Sequence, residues 1–182
     1  MKVKNANVSS KKTRQLIKDS FIELLYEKKD IKKVKVTELV KKANIDRTTF
    51  YSHYDNIYSV AQEFEDEFID LIDFEIGKIK DYEELFSFFD RLKDIIKDNE
   101  AKYRMVGVSD FYFHFYNNAN YKLKELVYSV VSNQNPKANS DELHFRVDVL
   151  IDGVFTQVIK YFTDKNYKYD LNFILNNIKN IV

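Results

Sequence analysis

Residues 36–54 read Val36-Thr37-Glu38-Leu39-Val40-Lys41-Lys42-Ala43-Asn44-Ile45-Asp46-Arg47-Thr48-Thr49-Phe50-Tyr51-Ser52-His53-Tyr54. Two short helices joined by a tight turn account for this pattern. Thr37 is a favourable N-cap, its hydroxyl suited to an orphan N–H of the first turn, and Glu38 suits the positive helix end. Leu39, Val40 and Ala43 then form a short apolar stripe. Asn44 falls where the chain must turn sharply, and Asn tolerates the left-handed conformation better than most residues. Asp46 is placed to cap the second helix, with Phe50 and Tyr54, four apart, directed inward.

The outward set of that second helix is Arg47, Thr48, Thr49, Tyr51, Ser52 and His53. A solvated helix usually carries Glu and Lys there. Hydroxyls, a phenol and a guanidinium instead suit phosphate oxygens and base edges, and a helix of this size fits the major groove of a duplex. The plain alternative is a short surface helix in an ordinary helical protein. Catalysis finds no support: there is no Gly-rich phosphate loop and no Ser–His motif spacing, and the acids scatter over helix surfaces. The protein is therefore read as not an enzyme and as needing no cofactor. His53, His114 and His144 lack metal-ligand spacing and Cys is absent, so no metal site is expected.

Thr37, Ala43-Asn44-Ile45-Asp46 and the run Arg47 to Tyr54 together resemble the helix-turn-helix of the TetR family of bacterial transcription regulators. The likeness is close over about the first third of the chain; beyond it, only helix number and length agree. It implies an all-α fold of about nine helices, with a three-helix DNA-binding domain at 1–56 and an effector-binding and dimerisation domain at 57–182. It also implies a homodimer on a palindromic double-stranded DNA operator, acting as a repressor released by a small effector. Two positions depart from the family pattern. Asn44 stands for the usual turn Gly, and Ile57 for a phosphate-binding Lys. The second departure keeps open a co-regulator of the same fold that works through protein–protein binding with little or no DNA contact.

For DNA, the expected roles are Thr37 on a phosphate and Arg47, Thr48 and Thr49 in the groove, since recognition helices read with their N-terminal residues. Arg47 suits guanine O6 and N7. Tyr51, Ser52 and His53 suit phosphates that fix register.

Composition agrees with a helical protein. The chain has 182 residues, 45% hydrophobic and 15% aromatic, with three Gly and one Pro and no apolar–polar alternation. No basic stretch leads into an apolar N-terminal core, and no uncharged apolar run approaches roughly 18 residues. A cytoplasmic protein without a membrane partner is expected. The zero net charge hides an asymmetry. Residues 1–54 carry 14 Lys and Arg against 6 Asp and Glu (14 − 6 = +8), leaving 15 against 23 (15 − 23 = −8) in residues 55–182. The positive part coincides with the helix-turn-helix, where phosphate neutralisation would use it.

Along the chain, residues 1–9 read as loose, with Lys2, Lys4, Lys11, Lys12 and Arg14 either an arm near phosphates or a merely soluble tail. Helix 1 is expected from about Ser10 to Lys28. Asp55 or Asn56 caps a fourth helix whose stripe, Ile57 through Phe68 to Ile76 and Ile79, covers about six turns. Asp81 with Glu84 caps a fifth helix, and Gly107 ends a sixth. Phe111-Tyr112-Phe113-His114-Phe115-Tyr116 cannot all face one way: either both faces are buried or one lines a cavity. Asn117, Asn118 and Asn120 are expected to loosen this helix. Asn139 and Asp170 open the last two helices.

A cavity among Phe86, Phe89, Phe111, His114 and Phe115 would suit an apolar or planar effector, the alternative being a dense aromatic core. His114 is as readily a satisfied core residue as a ligand contact. The last two helices carry wide apolar faces including Leu150, Gly153, Val154, Val158, Ile174 and Ile178. These either cover the monomer core or, as the resemblance implies, form a four-helix bundle with a second copy.

Overall fold

The computed structural model of the protein describes residues 2–75 and 78–177, and for residues 2–9, Glu75, Tyr112 and His114 the backbone alone. Among the described residues the chain is all-helical: α1 (Lys2–Lys28), α2 (Val36–Lys42), α3 (Arg47–Tyr51), α4 (Ile57–Glu75), α5 (Tyr82–Asp98), α6 (Glu100–Gly107), α7 (Tyr112–Gln134), α8 (Ser140–Thr163) and α9 (Leu171–Asn176). A 3-10 turn, Ile31–Lys33, joins α1 to α2. The expected all-α architecture with nine helices holds. No described helix is long and apolar enough to cross a membrane.

Local chemistry sets most helix starts. Asp81, Asn139 and Asp170 each accept from backbone N–H groups of the following first turn, satisfying donors that a helix leaves unpaired. Glu84 reaches back to the N–H of Lys80 at 2.7 Å, a variant of the reciprocal capping box. Asn56, not Asp55, caps α4 by accepting from Ser59 N–H at 3.1 Å.

Several expectations are corrected. The helix starts at Lys2 rather than Ser10; residues 2–9 contain neither Gly nor Pro to interrupt it. Thr37 is not the N-cap of α2, because the helix begins at Val36 behind Lys35, which makes no side-chain cap bond. The asparagines do not loosen α7, which runs unbroken from Tyr112 to Gln134. Their amides are used across helices instead: Asn118 donates to Glu65 of α4 and Asn120 to Asp152 of α8. They therefore do not compete for local backbone. The described part of α4 ends at Glu75, about 28 Å long at the helical rise. The expectations for Ile76 and Ile178 lie outside the described residues, and that for His114 concerns a side chain that is not described.

One buried cluster runs from α1 to α9. Its N-terminal part holds Ile17, Phe21 and Leu25 of α1 with Leu39, Val40, Phe50, Tyr54, Ile57 and Val60. Phe50 is wholly buried, and truncating such a side chain costs about 3–5 kcal/mol. Farther along, Phe64 and Phe68 of α4 meet Tyr103 of α6 and Phe115 of α7, with ring centroids 5.0 to 6.4 Å apart. The aromatic run resolves by helical rotation. Phe111 and Phe115 share the buried face, whereas Phe113, turned about 200° from Phe111, is 67% exposed.

Candidate nucleic-acid interface

The turn between α2 and α3 is set by its backbone. Asn44 has φ 52°, the left-handed conformation reserved for Gly and, less often, Asn. Around it, Ile45 N–H donates to Val40 O at 3.0 Å and Asn44 N–H to Lys41 O at 3.3 Å. These are the two bonds of a Schellman termination. Asp46 then starts α3, its carboxylate accepting from Thr49 N–H at 2.6 Å. That backbone N–H holds the carboxyl below its ordinary pKa. Phe50 and Tyr54 fix the inner face.

What remains outside is the predicted set. Arg47, Thr48 and Ser52 are exposed, Tyr51 is 56% exposed, and Thr49 and His53 are half-buried. Tyr51 stands edge-on to Phe50, with ring centroids 5.3 Å apart, and remains exposed. Ser52 Oγ donates to Thr49 O at 2.7 Å. Thr37 is exposed within the first turn of α2. Arg47, Thr48, Thr49, Tyr51, Ser52 and His53 thus follow one another along α3 and its end, with Thr37 on the neighbouring helix.

The cations divide into two sets that sequence could not separate. Lys28 is bound to Glu38 at 2.8 Å, and Lys42 to Glu27 at 2.8 Å and Glu23 at 3.0 Å. The Lys28 hydrogen bond lowers the Glu38 pKa, and the Glu27 hydrogen bond raises that of Lys42. Arg14, expected either in a phosphate arm or in a soluble tail, pairs with Glu63 of α4 and lies 5.3 Å from the centre of the Tyr54 ring. Buried Lys18 joins Glu63 and Glu67. Burial, with the Glu63 carboxylate adding to it, pushes the Tyr54 phenol above its ordinary pKa. Lys11, Lys12, Lys32, Lys35, Lys41 and Arg47 make no ion pair among the described residues. Of these, Arg47 was expected in the groove, and Lys11 and Lys12 in a phosphate arm or a soluble tail; Lys32, Lys35 and Lys41 were not singled out, because pairing depends on acids brought close only by folding.

Ile57 is a core residue at the first turn of α4, and the exposed group beside it is Tyr58. The first turn of α4 is thus apolar by packing at Ile57, with the Tyr58 phenol next to it.

The other expected sites are distributed as follows. Leu150, Gly153, Val154 and Ile174 line an open groove of about 950 Å³ between α7, α8 and α9, together with exposed Phe145, Val149 and Phe173. A Cβ added at Gly153 meets nothing within 4 Å. Val158 packs against the core. Phe111 is edge-on to Phe21 of α1, and Phe115 sits among Phe64, Phe68 and Tyr103. Phe86 stacks on Tyr82, and Phe89 adjoins Phe88 on α5. A smaller cavity of about 200 Å³ lies beside the aromatic cluster, lined by Lys18, Phe64, Glu67, Phe68, Leu71 and Tyr103 among others. Burial pushes the Tyr103 phenol up to about 12.

The fold and this site define a helical protein with a helix-turn-helix arrangement near its N-terminal end. No protein-family model matches the chain. A stretch of 51 residues, 28% of the chain, is 38% identical to a Bacillus subtilis (strain 168) protein described as the uncharacterized HTH-type transcriptional regulator YxbF. The matched stretch amounts to 13% of that relative's length.

Proposed function

We propose that the protein is a DNA-binding transcription regulator of the TetR type. In this reading residues 1–56 bind a palindromic operator, and residues 57–182 pair two copies and hold an effector. The observation that carries it is the outer surface of α3: exposed Arg47, Thr48, Tyr51 and Ser52 follow a capped turn, with Lys41, Lys35 and Lys32, which make no ion pair among the described residues, on neighbouring segments. The likeness to a helix-turn-helix regulator supports DNA binding in general terms. The open apolar groove on α8 and α9 supports the homodimer. Such a regulator works in the cytoplasm, as a repressor released when a small, largely apolar or aromatic molecule enters near the Phe64–Phe68–Tyr103–Phe115 cluster, where the 200 Å³ cavity lies.

Mobility shift of the DNA upstream of its own gene, at low and at physiological salt, tests the reading. Sequence-preferring binding that weakens steeply with salt is expected. A folded protein that retards every fragment alike, or none, refutes it. One observation favours a second reading: with Ile57 buried, the first turn of α4 offers no cation. A co-regulator that binds protein rather than DNA would remain a dimer and fail the shift at every salt concentration.

A further inference from the structure

Helix α6 is eight residues long, yet it is tied at both sides to distant parts of the chain. Just beyond its C-terminal end, Asp110 meets the end of α1. Lys29 there has φ 60°, a left-handed conformation that turns the chain out of the helix. Its carbonyl accepts from the backbone N–H of Asp110 at 3.2 Å. Two residues on, Ile31 N–H donates to Asp110 Oδ1 at 2.9 Å. A single residue thus holds an acceptor and a donor of the α1–α2 connector. The Phe21–Phe111 contact and the Lys102–Asp19 ion pair at 2.8 Å reinforce the junction.

On the other side, Arg104 Nη1 donates to Tyr161 O at 2.7 Å and Phe162 O at 3.3 Å. These carbonyls belong to the last turn of α8, where no helical partner exists. Arg104 Nε is oriented by Glu100 at 2.7 Å. A Cβ at Gly107 would lie 3.5 Å from side-chain atoms of both Phe162 and Thr163. The end of α6 therefore packs directly on the end of α8.

We propose that α6 is a strut from α8 to the connector of the helix-turn-helix, and that Asp110 is a positioning residue that fixes the angle of α3. This rests on the regulator reading and adds how the two parts are held. The covalent link between them is α4, which α1 also grips through Arg14, Lys18, Glu63 and Glu67. The end of α6 adds a hold on the connector itself, away from the α4 axis. Rigid placement matters when two copies must reach half-sites one helical turn apart. Any displacement of the α8 end, by a partner or an effector, reaches the connector through Arg104 and Asp110.

The test compares the full-length wild type with Asp110→Ala and Asp110→Asn, the latter keeping an Oδ1 acceptor. The probes are the duplex that the wild type selects from a random pool, the same duplex with one base pair added or removed between half-sites, and a single half-site. In Asp110→Ala, amide exchange at Ile31 is expected to quicken about tenfold. Affinity for the selected duplex should fall about tenfold with loss of spacing preference, while half-site affinity is unchanged. Asp110→Asn should stay close to wild type in each. Unchanged exchange and spacing preference in Asp110→Ala overturns the proposal, as does an equal loss on half-site and full site, which would mean general damage. A wild type that selects no duplex overturns the positioning role together with the DNA reading. The exchange measurement then shows separately whether the grip on Ile31 exists.

Discussion

Asn44 offers the sharpest test of the turn that presents α3. Its φ of 52° costs an ordinary L-residue roughly 1–2 kcal/mol, and Gly escapes that cost. Asn44→Gly relieves whatever strain Asn retains, but it also enlarges the conformational freedom of the unfolded chain, worth about 0.4–1 kcal/mol in the opposite sense. The two effects nearly cancel, so stability should change by less than about 0.5 kcal/mol. Asn44→Ala keeps the strain and loses the tolerance of Asn, a net loss near 1 kcal/mol. Asn44→Val adds a β-branch and should lose about 2 kcal/mol or more. For a chain of this length each kcal/mol lowers the midpoint by about 2–4 °C, so thermal melts should rank Gly ≈ Asn > Ala > Val. At 25 °C a domain stable by about 5–15 kcal/mol remains folded through all of these. Any fall in DNA affinity of the Val variant then reports a displaced α3 rather than unfolded protein. An Ala variant as stable as the wild type would refute the left-handed turn and the geometry built on it.

Arg47→Ala should relax sequence preference and cost about 1–3 kcal/mol on the operator, whereas Tyr51→Phe should weaken all sequences alike; titrations against selected and scrambled duplexes distinguish them. Leu150→Asp in the α8–α9 groove should convert a dimer to a folded monomer in size-exclusion with light scattering, and a monomeric wild type would refute pairing. Tyr103, raised to about 12 by burial, stabilises the fold fully below pH 10, where folded and unfolded chains both keep the phenol proton. As pH rises from 10 to 12 the unfolded chain alone loses it, so stability should fall by up to about 1.4 kcal/mol per pH unit. Urea midpoints of wild type and Tyr103→Phe across that range check the slope, which should be flatter in the variant.

What could be read in the sequence was what neighbours in the chain determine. Asn44 and Asp46 need only the residues two to five positions away to complete their hydrogen bonds, and both stand as expected. Thr37 shows the limit of the same reasoning. Thr is a better cap than Lys, yet the chain enters α2 from the 3-10 turn with Lys35 extended, and burial of Val34 overrides the preference. Arg14 and Lys18 were illegible for another reason: their partners Glu63 and Glu67 lie 49 residues on, and no spacing rule reaches that far. The aromatic run falls between these cases. Rotation per residue separates Phe113 from Phe111 and Phe115, but only the placement of α1, α4 and α6 decides which face is covered.

The positive charge of residues 1–54 therefore overstates what the surface offers to an anion. Lys41 and Lys42 are neighbours on α2, and composition counts them equally. In the fold Lys42 is held by Glu23 and Glu27 of α1, while Lys41 makes no ion pair among the described residues. A phosphate gains little from a cation whose charge two carboxylates already balance, because binding it requires breaking those pairs. A free cation releases a condensed counterion when it reaches the backbone. Lys41→Gln should thus reduce the slope of log affinity against log salt by about 1 per protomer. Lys42→Gln should leave that slope unchanged, although it removes the same formal charge. Equal reductions from both would show that long-range charge, not the pairing seen here, governs attraction to the duplex.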